Sequence, residues 1–558
     1  MSEIEALEKL GINLTEVTNQ QFTVTDEGIF HNGSSSEKIC DYFTVEGDAI
    51  DDNGVRYYIL KADNKLFALA WADLGDNQGW KVMRGVIRGI PPDTRRKNKL
   101  VEFIQTRDIL KRWALTDTAG WHGDAYILPS GEIIGEADGV LFQRPQKISA
   151  YGVAGTLEDW QQHLGRYIVG NSRFCLMMGA AFAAPMIEWF GIEGGILHLY
   201  GSSSGGKTTA QRLAQSVWGH GIHSCETWNG TGYALTNTAA ARNNGLLSLD
   251  EIGQDERGNA ATQCTYSISN GKGKIQGAKD GGNRPELRFC VLGVSSGEIT
   301  LDEHLARHGK QAMAGQLVRC PSISHELEAA HGFESMKAFT DHINDAVTRY
   351  YGEAGRVFIA EIVKDKAAAK ERAKELYQRF LDELISNHAM GKQQSRAARL
   401  FAAAYVGLIM AKQYGIIGID ESDAREGVNA CLIDWLEKQP QGLYEDERIK
   451  ENAIDTMPTL QPQFVSIIAE GTNHVFSGDY VGFVADDGEG KIYDVLPAMF
   501  KKYFALGDNA AAMNRATQVL GNDMGWLNKP KGKGWQHVRR FNGESIKVYR
   551  FRGIAPPE

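Results

Sequence analysis

Along positions 1–155, short β-branched and aromatic runs alternate with turn-forming stretches. "RYYILKA", "KLFALAWA" and "GVLFQR" are such runs. "DEGIFHNGSSSEK", "EGDAIDDNG" and "GDAYILPSGEIIGEADG" punctuate them with Gly, Asp and Asn. The pattern predicts a β-rich domain with one helix over "NKLVEFIQTRDILKRWA". From 156 to 330, helical periods alternate with short, wholly apolar runs, which predicts an α/β core around a largely parallel sheet. The most apolar stretch, "FCLMMGAAFAAPMIEWFGIEGGILHLYG", is interrupted by Pro185 and Glu188. It reads as a buried helix followed by a buried strand, not as a membrane span. Residues 331–450 are mostly helical. "DKAAAKERAKELYQRFLDELISNH" and "SRAARLFAAAYVGLIMAKQYG" carry apolar residues at three- and four-residue spacing, the second ending at Gly415. After "EKQPQG" the pattern shifts again. Over 455–558, "YDVLPAMFKKYFA" and "NAAAMNRATQVLGNDMGWL" read as helices. "WQHVRRF" and "SIKVYRF" read as strands joined at Asn542-Gly543, a strong hairpin signal. No internal repeat is visible.

Composition narrows the class. A chain of 558 residues with 42% hydrophobic content holds several cores. Its net charge of −10 excludes a uniformly basic nucleic-acid coat but not a local basic channel. The tail is the local exception: from Lys501 to Glu558, eleven basic residues stand against four acidic ones. The seven cysteines (Cys40, Cys175, Cys225, Cys264, Cys290, Cys320 and Cys431) form no CxxC pair. That argues against a zinc site or a disulfide framework and for buried thiols in a reducing, cytoplasmic setting. The acidic, amphipathic "MSEIEALEKLGINL" is not a signal peptide.

The candidate chemistry begins where the strand "ILHLY" runs into Gly201-Ser202-Ser203-Ser204-Gly205-Gly206-Lys207-Thr208-Thr209. This fits G-x-x-x-x-G-K-[ST], and the helix "TTAQRLAQSVW" follows, with Ala210, Leu213, Val217 and Trp218 on one face. Glycines let successive backbone N–H groups curl around phosphate oxygens, and the helix N-terminus adds its dipole. Lys207 would reach the β- and γ-phosphates of ATP, and Thr208 would hold Mg²⁺. A second apolar strand, "GLLSL", ends in Asp250-Glu251. Asp250 would serve the metal and Glu251 would polarise the attacking water. That pair favours an ATPase over a kinase. A third strand ends in Ser295-Ser296, either a polar group near the γ-phosphate or a capped turn. Arg319 follows an apolar stretch, where it is either a finger for a neighbouring subunit's nucleotide or a surface ion pair. Between the second and third strands, "SNGKGKIQGAKDGGNRPE" has loop chemistry. Its Lys272, Lys274 and Lys279 suit contact with a phosphate backbone and, equally, a solvated loop.

These motifs, taken in order, resemble the family first catalogued as domain of unknown function 927. The residues that carry the likeness are "TAGWHGDAYILPSGEIIG", "LYGSSSGGKTTAQRLAQSVWG", "TWNGTGYALTNTAAARNNGLLSLDEIGQ", "YSISNGKGKIQGAKDGGNRPELRFCVLGVSSGEITLDEHL" and "GQLVRCPSI". The family includes MCM-like AAA+ helicases of mobile genetic elements such as staphylococcal cassette chromosomes. The likeness spans about 115–330 and weakens beyond. It implies a DNA-dependent ATPase that self-associates into a ring, a hexamer. In this chain it implies Ser295 or Ser296 at a sensor position, where relatives often have Asn, and Arg319 as the arginine finger. It also implies Arg396, with Arg399 as rival, as a second sensor on a helical lid, and a DNA-contacting loop at Lys272 and Lys274. Two helices followed by a hairpin is the winged-helix order, with Arg539, Arg540 and Lys547 on the wing.

The expected fold is therefore multidomain α/β. A β-rich N-terminal domain (1–155) precedes a P-loop AAA+ ATPase core (156–330), a helical lid (331–450) and a winged-helix-like DNA-binding domain (455–558). The expected function is an ATP- and Mg²⁺-dependent helicase or translocase on single- or double-stranded DNA, with self-association into a ring and no membrane. The alternative is a nucleotide-dependent DNA-binding switch or defence ATPase without unwinding.

Overall fold

The computed structural model describes residues 21–552 apart from 52–53, 64, 110, 137–138, 144–147, 203–204, 278–281, 284–285, 389, 391, 439–443, 467–479, 489, 506–509, 531, 533 and 542–543. The chain divides into two compact units. The first runs to His388 and resumes over Arg396–Asp434; the second comprises Ala389–Ser395 and Trp435 onward.

The first unit opens with β1 (Phe22–Thr25), β2 (Gly28–Asn32) and β3 (Ser36–Cys40), a three-stranded antiparallel sheet. Next come β4 (Thr44–Ile50), β5 (Arg56–Ala62) and β6 (Lys65–Ala70), then helices α1 (Asn77–Arg84) and α2 (Thr94–Gln105), and β7 (Arg112–Thr116). The helices start where Asp76 and Asp93 accept backbone N–H groups of the first turn, as N-caps do. The helix expected over "NKLVEFIQTRDILKRWA" stops at Gln105. There the Thr106 hydroxyl turns back onto the Glu102 carbonyl, 2.9 Å, and "RWALT" pairs as a strand with β4. A second small sheet, β8 (Gly120–His122), β9 (Ala125–Ile127) and β10 (Ile133–Ile134), packs on the central core. Trp121 Nε1 donates to Pro185 O, 2.7 Å, and the Tyr126 hydroxyl donates to Asn244 O, 2.7 Å. β11 (Val140–Phe142) joins β7, giving the order β11-β7-β4-β5-β6.

The central core begins with α3 (Leu157–His163), capped by Thr156, and α4 (Ser172–Ala183). Every residue of α4 is buried, as its apolar run from Phe174 onward requires; Ser172 and Arg173 at its start are paired with Glu328. Five parallel strands follow: β12 (Gly195–Tyr200), β13 (Glu226–Thr227), β14 (Gly245–Asp250), β15 (Val291–Gly297) and β16 (Ser322–Ser324), in the order β13-β14-β15-β12-β16. The intervening helices are α5 (Lys207–Gln215), α6 (Gly232–Ala240), α7 (Asn259–Asn270), α8 (Leu301–Arg307) and α9 (Ala314–Leu317). Because β12, β14, β15 and β16 run parallel, the residues that follow each of them emerge on one edge. In parallel sheets that edge is where ligands bind. A helical layer completes the unit: α10 (Met336–Arg349), α11 (Glu353–Lys364), α12 (Lys366–His388), α13 (Lys392–Gln413) and α14 (Glu421–Glu437). α13 crosses α4 at two glycines. A Cβ on Gly179 would meet Ala404 O at 2.4 Å, and one on Gly407 would meet Gly179 O at 2.2 Å.

The second unit contains α15 (Tyr444–Leu460), β17 (Phe464–Ser466), β18 (Gly482–Asp486), β19 (Lys491–Val495), α16 (Pro497–Phe504), α17 (Ala510–Gln518), β20 (Gln536–Phe541) and β21 (Glu544–Phe551). Its sheet order is β17-β18-β19-β21-β20. Phe500 stacks on Tyr549 with ring centroids 4.0 Å apart, and Phe504 and Phe551 close the core around them. The boundary between the units falls near the end of α14, at Asp434 and Trp435, so α15 belongs with the second unit and contributes to its core.

Candidate nucleotide site and basic hairpins

The glycine loop leaves the end of β12 and enters α5 at Gly206, whose φ of 91° is open to glycine at little cost. Lys207, only 7% exposed, lies across the loop and donates to the carbonyls of Gly201, 2.9 Å, and Ser202, 2.6 Å. The ammonium thus sits at the mouth that the loop encloses. Ser203 and Ser204 lie outside the described residues. Thr208 turns toward the sheet edge and donates to Asp250 Oδ1, 3.2 Å. Thr209 points the other way, and its hydroxyl accepts from Asn344 Nδ2 on α10, 3.1 Å.

Asp250 ends β14, two strands from β12, with β15 between them. The intervening strand brings its own group: the Ser296 hydroxyl donates to the same Asp250 Oδ1. The Glu251 N–H donates to Ser296 Oγ, 3.2 Å. Glu251 itself is held at φ 52°, ψ 86°, a region that a non-glycine residue seldom adopts and that costs of order 1–3 kcal/mol. Its carboxylate accepts the Gly253 N–H, 3.1 Å. Thr208, Asp250, Glu251 and Ser296 are therefore one connected group at the foot of the glycine loop.

Ser295, its neighbour on β15, faces away. Its hydroxyl accepts from Trp228 Nε1, 2.9 Å, and contacts His198 Nδ1, 3.0 Å. His198 Nε2 lies 2.9 Å from the Ile299 carbonyl, which can only accept. Hence Nε2 carries the proton and Nδ1 accepts from Ser295. Burial above all pushes His198 down to about 4, against the Ile299 carbonyl that favours its charged form. In the relay Trp228–Ser295–His198–Ile299 the Ser295 hydroxyl accepts once and donates once inside the core. No short motif marks this relay, because its members come from three separate stretches, around His198, Trp228 and Ser295–Ile299.

The arginines lie elsewhere. Arg319 precedes β16, and its carbonyl accepts the Ile196 N–H at the start of β12. That is the opposite end of a six-residue strand from the loop, roughly 17 Å away. Its guanidinium meets Glu193 at 3.4 Å and Asn270 at 3.5 Å. Arg399 reaches the carbonyls of Phe190, 3.0 Å, and Gly191, 2.7 Å, also before β12. Arg396, one turn earlier on α13, is exposed. None of the three is brought to the glycine loop of its own chain.

Two basic hairpins project from the units. In the first unit, between α7 and β15, antiparallel bridges join Lys272 to Arg288 and Gly277 to Asn283. Lys272 and Lys274 are exposed, and Ile275 between Lys274 and the tip is 59% exposed. Lys279 lies outside the described residues. In the second unit, β20 and β21 pair with Val538 opposite Lys547 and Arg540 opposite Ser545. Arg540 and Lys547 share an exposed face. Arg539 is on the other face, where it and Arg550 both pair with Asp494, whose side chain is wholly buried. The expectation that Arg539 contacts DNA meets this geometry: a guanidinium that neutralises a buried carboxylate is committed to the fold. The Asn542-Gly543 turn lies outside the described residues.

Comparison with known proteins agrees with the likeness read from the motifs. Residues 78–288 match the family described as "Domain of unknown function (DUF927)". No curated protein matches the sequence. Among solved structures, one titled "SCCmec type IV Cch - active helicase" is 15% identical with a TM-score of 0.68, covering 96% of this chain and 98% of that one. Likeness at that identity shows a shared fold across both units. The C-terminal region of NrS-1 in an apo form is 11% identical with a TM-score of 0.26, over 70% of this chain and 91% of that one, too slight to inform the fold. Among the described residues, no helix is long and apolar enough to cross a membrane.

Proposed function

We propose that this chain is an ATP-driven DNA helicase or translocase that works as a ring, of the AAA+ kind, in the replication of a mobile genetic element. One observation carries the reading: Thr208 and Ser296 converge on a single oxygen of Asp250 at the foot of the glycine loop. A hydroxyl and a carboxylate are hard oxygen donors, which suit Mg²⁺, a cation that also keeps several of its waters. A magnesium ion held by Thr208 and Asp250 would supply charge neutralisation at the β- and γ-phosphate oxygens.

The residues of the chain do the rest. Backbone N–H groups of Gly201–Gly206 and the start of α5 would bind the phosphates, and Lys207 would exchange its two carbonyl contacts for phosphate oxygens. Glu251 would swing from Gly253 to the attacking water and accept its proton. Ser296 would orient Asp250 and report the γ-phosphate to β15, the strand that follows the 272–288 hairpin. In a ring, Arg319 would reach a neighbour's nucleotide, which fits its place far from its own loop, and Arg396 would act on the exposed face of α13. Lys272 and Lys274 would track a DNA backbone. The second unit, with two helices before a basic hairpin, would dock duplex DNA as a winged helix.

The test is strand displacement by the purified chain with ATP, alongside its ATPase rate with and without single-stranded DNA. ATP-dependent unwinding by wild type and its loss in Lys272→Ala/Lys274→Ala, with basal ATPase retained, is the expected result. DNA binding and ATP turnover without displacement would replace the motor by a nucleotide-dependent switch.

A further inference from the structure

Against the outside of the phosphate loop lies a histidine that the reading above does not use. His325 follows β16 directly, and its N–H donates to the Tyr200 carbonyl at the end of β12, 2.7 Å. That bond presses the ring onto the loop. A Cβ placed on Gly206 would lie 3.3 Å from His325 Nε2, and one on Gly205 would lie 3.8 Å from Cδ2. His325 is 8% exposed, yet neither ring nitrogen meets a hydrogen-bond partner. A buried polar group without a partner is costly, so the position calls for an arrangement that satisfies it. Burial first, then the charges of Arg173 and Lys207, hold His325 down at about 4 and keep the ring neutral, with one N–H to give. The backbone of Gly205 opposes that shift, as a carbonyl beside the ring does, although it stands outside hydrogen-bond geometry.

The geometry of one peptide plane gives this contact a consequence. In a trans peptide the carbonyl of Gly205 and the N–H of Gly206 point to opposite sides. A donor that captures the Gly205 carbonyl from outside the loop therefore turns the Gly206 N–H inward, toward the place of a phosphate oxygen.

We propose that His325 is a positioning residue for the nucleotide: with phosphate bound, its ring N–H takes the Gly205 carbonyl and so aims the Gly206 N–H toward a phosphate oxygen. The inference rests on the reading of this loop as a nucleotide site. It also explains the place of the histidine at the start of the strap after β16, where Leu327 packs on the same glycine; a Cβ on Gly206 would meet Leu327 Cδ1 at 2.8 Å.

The experiment uses the full chain, a fluorescent ADP analogue titrated for Kd, and thermal melting with and without Mg-ADP. His325→Leu removes two unmatched nitrogens. It should melt at or above the wild-type temperature without nucleotide, yet raise the Kd about tenfold, the equivalent of ~1.4 kcal/mol. His325→Gln, which keeps a donor at the same reach, should recover most of the affinity. A histidine that only holds the fold would behave in the opposite way: His325→Leu would melt earlier without nucleotide. That result overturns the proposal, as does a wild-type Kd in His325→Leu, or equal weakening in Leu and Gln variants. A wild-type chain that binds no ADP would overturn the nucleotide-site reading and this inference with it; binding by wild type that His325→Leu leaves unchanged overturns the inference alone.

Discussion

The hydroxyl of Ser296 donates to the carboxylate of Asp250 across the boundary of two adjacent parallel strands, while Ser295, one residue earlier, is bound to Trp228 and His198 inside the core. Alternation along β15 separates the two serines by face. Ser295→Ala would leave the Trp228 N–H and a His198 nitrogen unpaired in the interior. It should lower stability by ~1–3 kcal/mol while ATP turnover survives at low temperature. Ser296→Ala should melt close to wild type and lose turnover by roughly tenfold or more, since what goes is the hydroxyl that holds Asp250 and accepts the Glu251 N–H at the sheet edge. Melting curves beside ATPase rates decide it; the reverse assignment of the two losses sinks it.

Lys207→Ala should abolish ATP hydrolysis, because it removes the charge poised at the loop mouth. Glu251→Gln should bind ATP but turn over ~10²–10⁴-fold more slowly, since an amide cannot take the proton of water. Glu251→Gly is the informative companion. It relieves the left-handed backbone at φ 52° and should raise the melting temperature while it too loses turnover. A wild-type rate in Glu251→Gln refutes the acidic-pair assignment.

Acid should weaken the first unit above the range in which carboxylates protonate. His198 is held at about 4 in the folded chain, against ~6.5 when unfolded. Its pKa is depressed, so the unfolded chain takes up a proton as pH falls through 6.5 while the native chain does not until about 4. Stability is therefore lost with falling pH in that window, by of order 3 kcal/mol at its lower end. His325, also held at about 4, adds in the same direction. Urea unfolding at pH 7, 6 and 5 measures the slope, and an unchanged midpoint across these values contradicts it.

Arg319→Ala should fold and bind nucleotide but hydrolyse ATP about 10³-fold more slowly if the residue serves a neighbour's site. Mixed with Lys207→Ala, it should regain part of the activity at shared interfaces, where an intact loop meets an intact arginine. Full-speed turnover by a monomer, measured by ATPase rate alongside solution mass, eliminates both finger and ring.

Arg539 and its neighbour Arg540 should separate by readout. Arg539→Ala strips the buried Asp494 of one of its two partners and should destabilise the second unit by ~1.5–3 kcal/mol. Arg540→Ala with Lys547→Ala should leave melting unchanged, weaken duplex-DNA binding and reduce the salt slope by about 2. Equal DNA binding by the double variant and wild type removes the hairpin from the interface.

Much of this protein is written locally. The strand, glycine loop and helix around Lys207, the apolar strands ending at Asp250 and Ser296, the long helices α12 and α13 with Gly415 past the end of the second, and the β20–β21 hairpin all follow from period and punctuation. These act over a few residues, so the chain by itself determined them. What it left undecided depends on contacts between distant segments. "RWALT" sits in an apparent helix until β4 offers it a ladder. Ser295 and Ser296 are alike until Trp228 and His198 claim the first and Asp250 the second. Arg539 looks like part of a basic wing until Asp494, forty-five residues earlier, is buried beneath it. His325 carries no motif, and only the adjacency of β12 and β16 lays it against Gly206. Spacing along a chain encodes which face a residue takes within its own element. Which partner waits on that face is settled by strand order and burial, where desolvated polar groups must find one another; only the tertiary structure decides that.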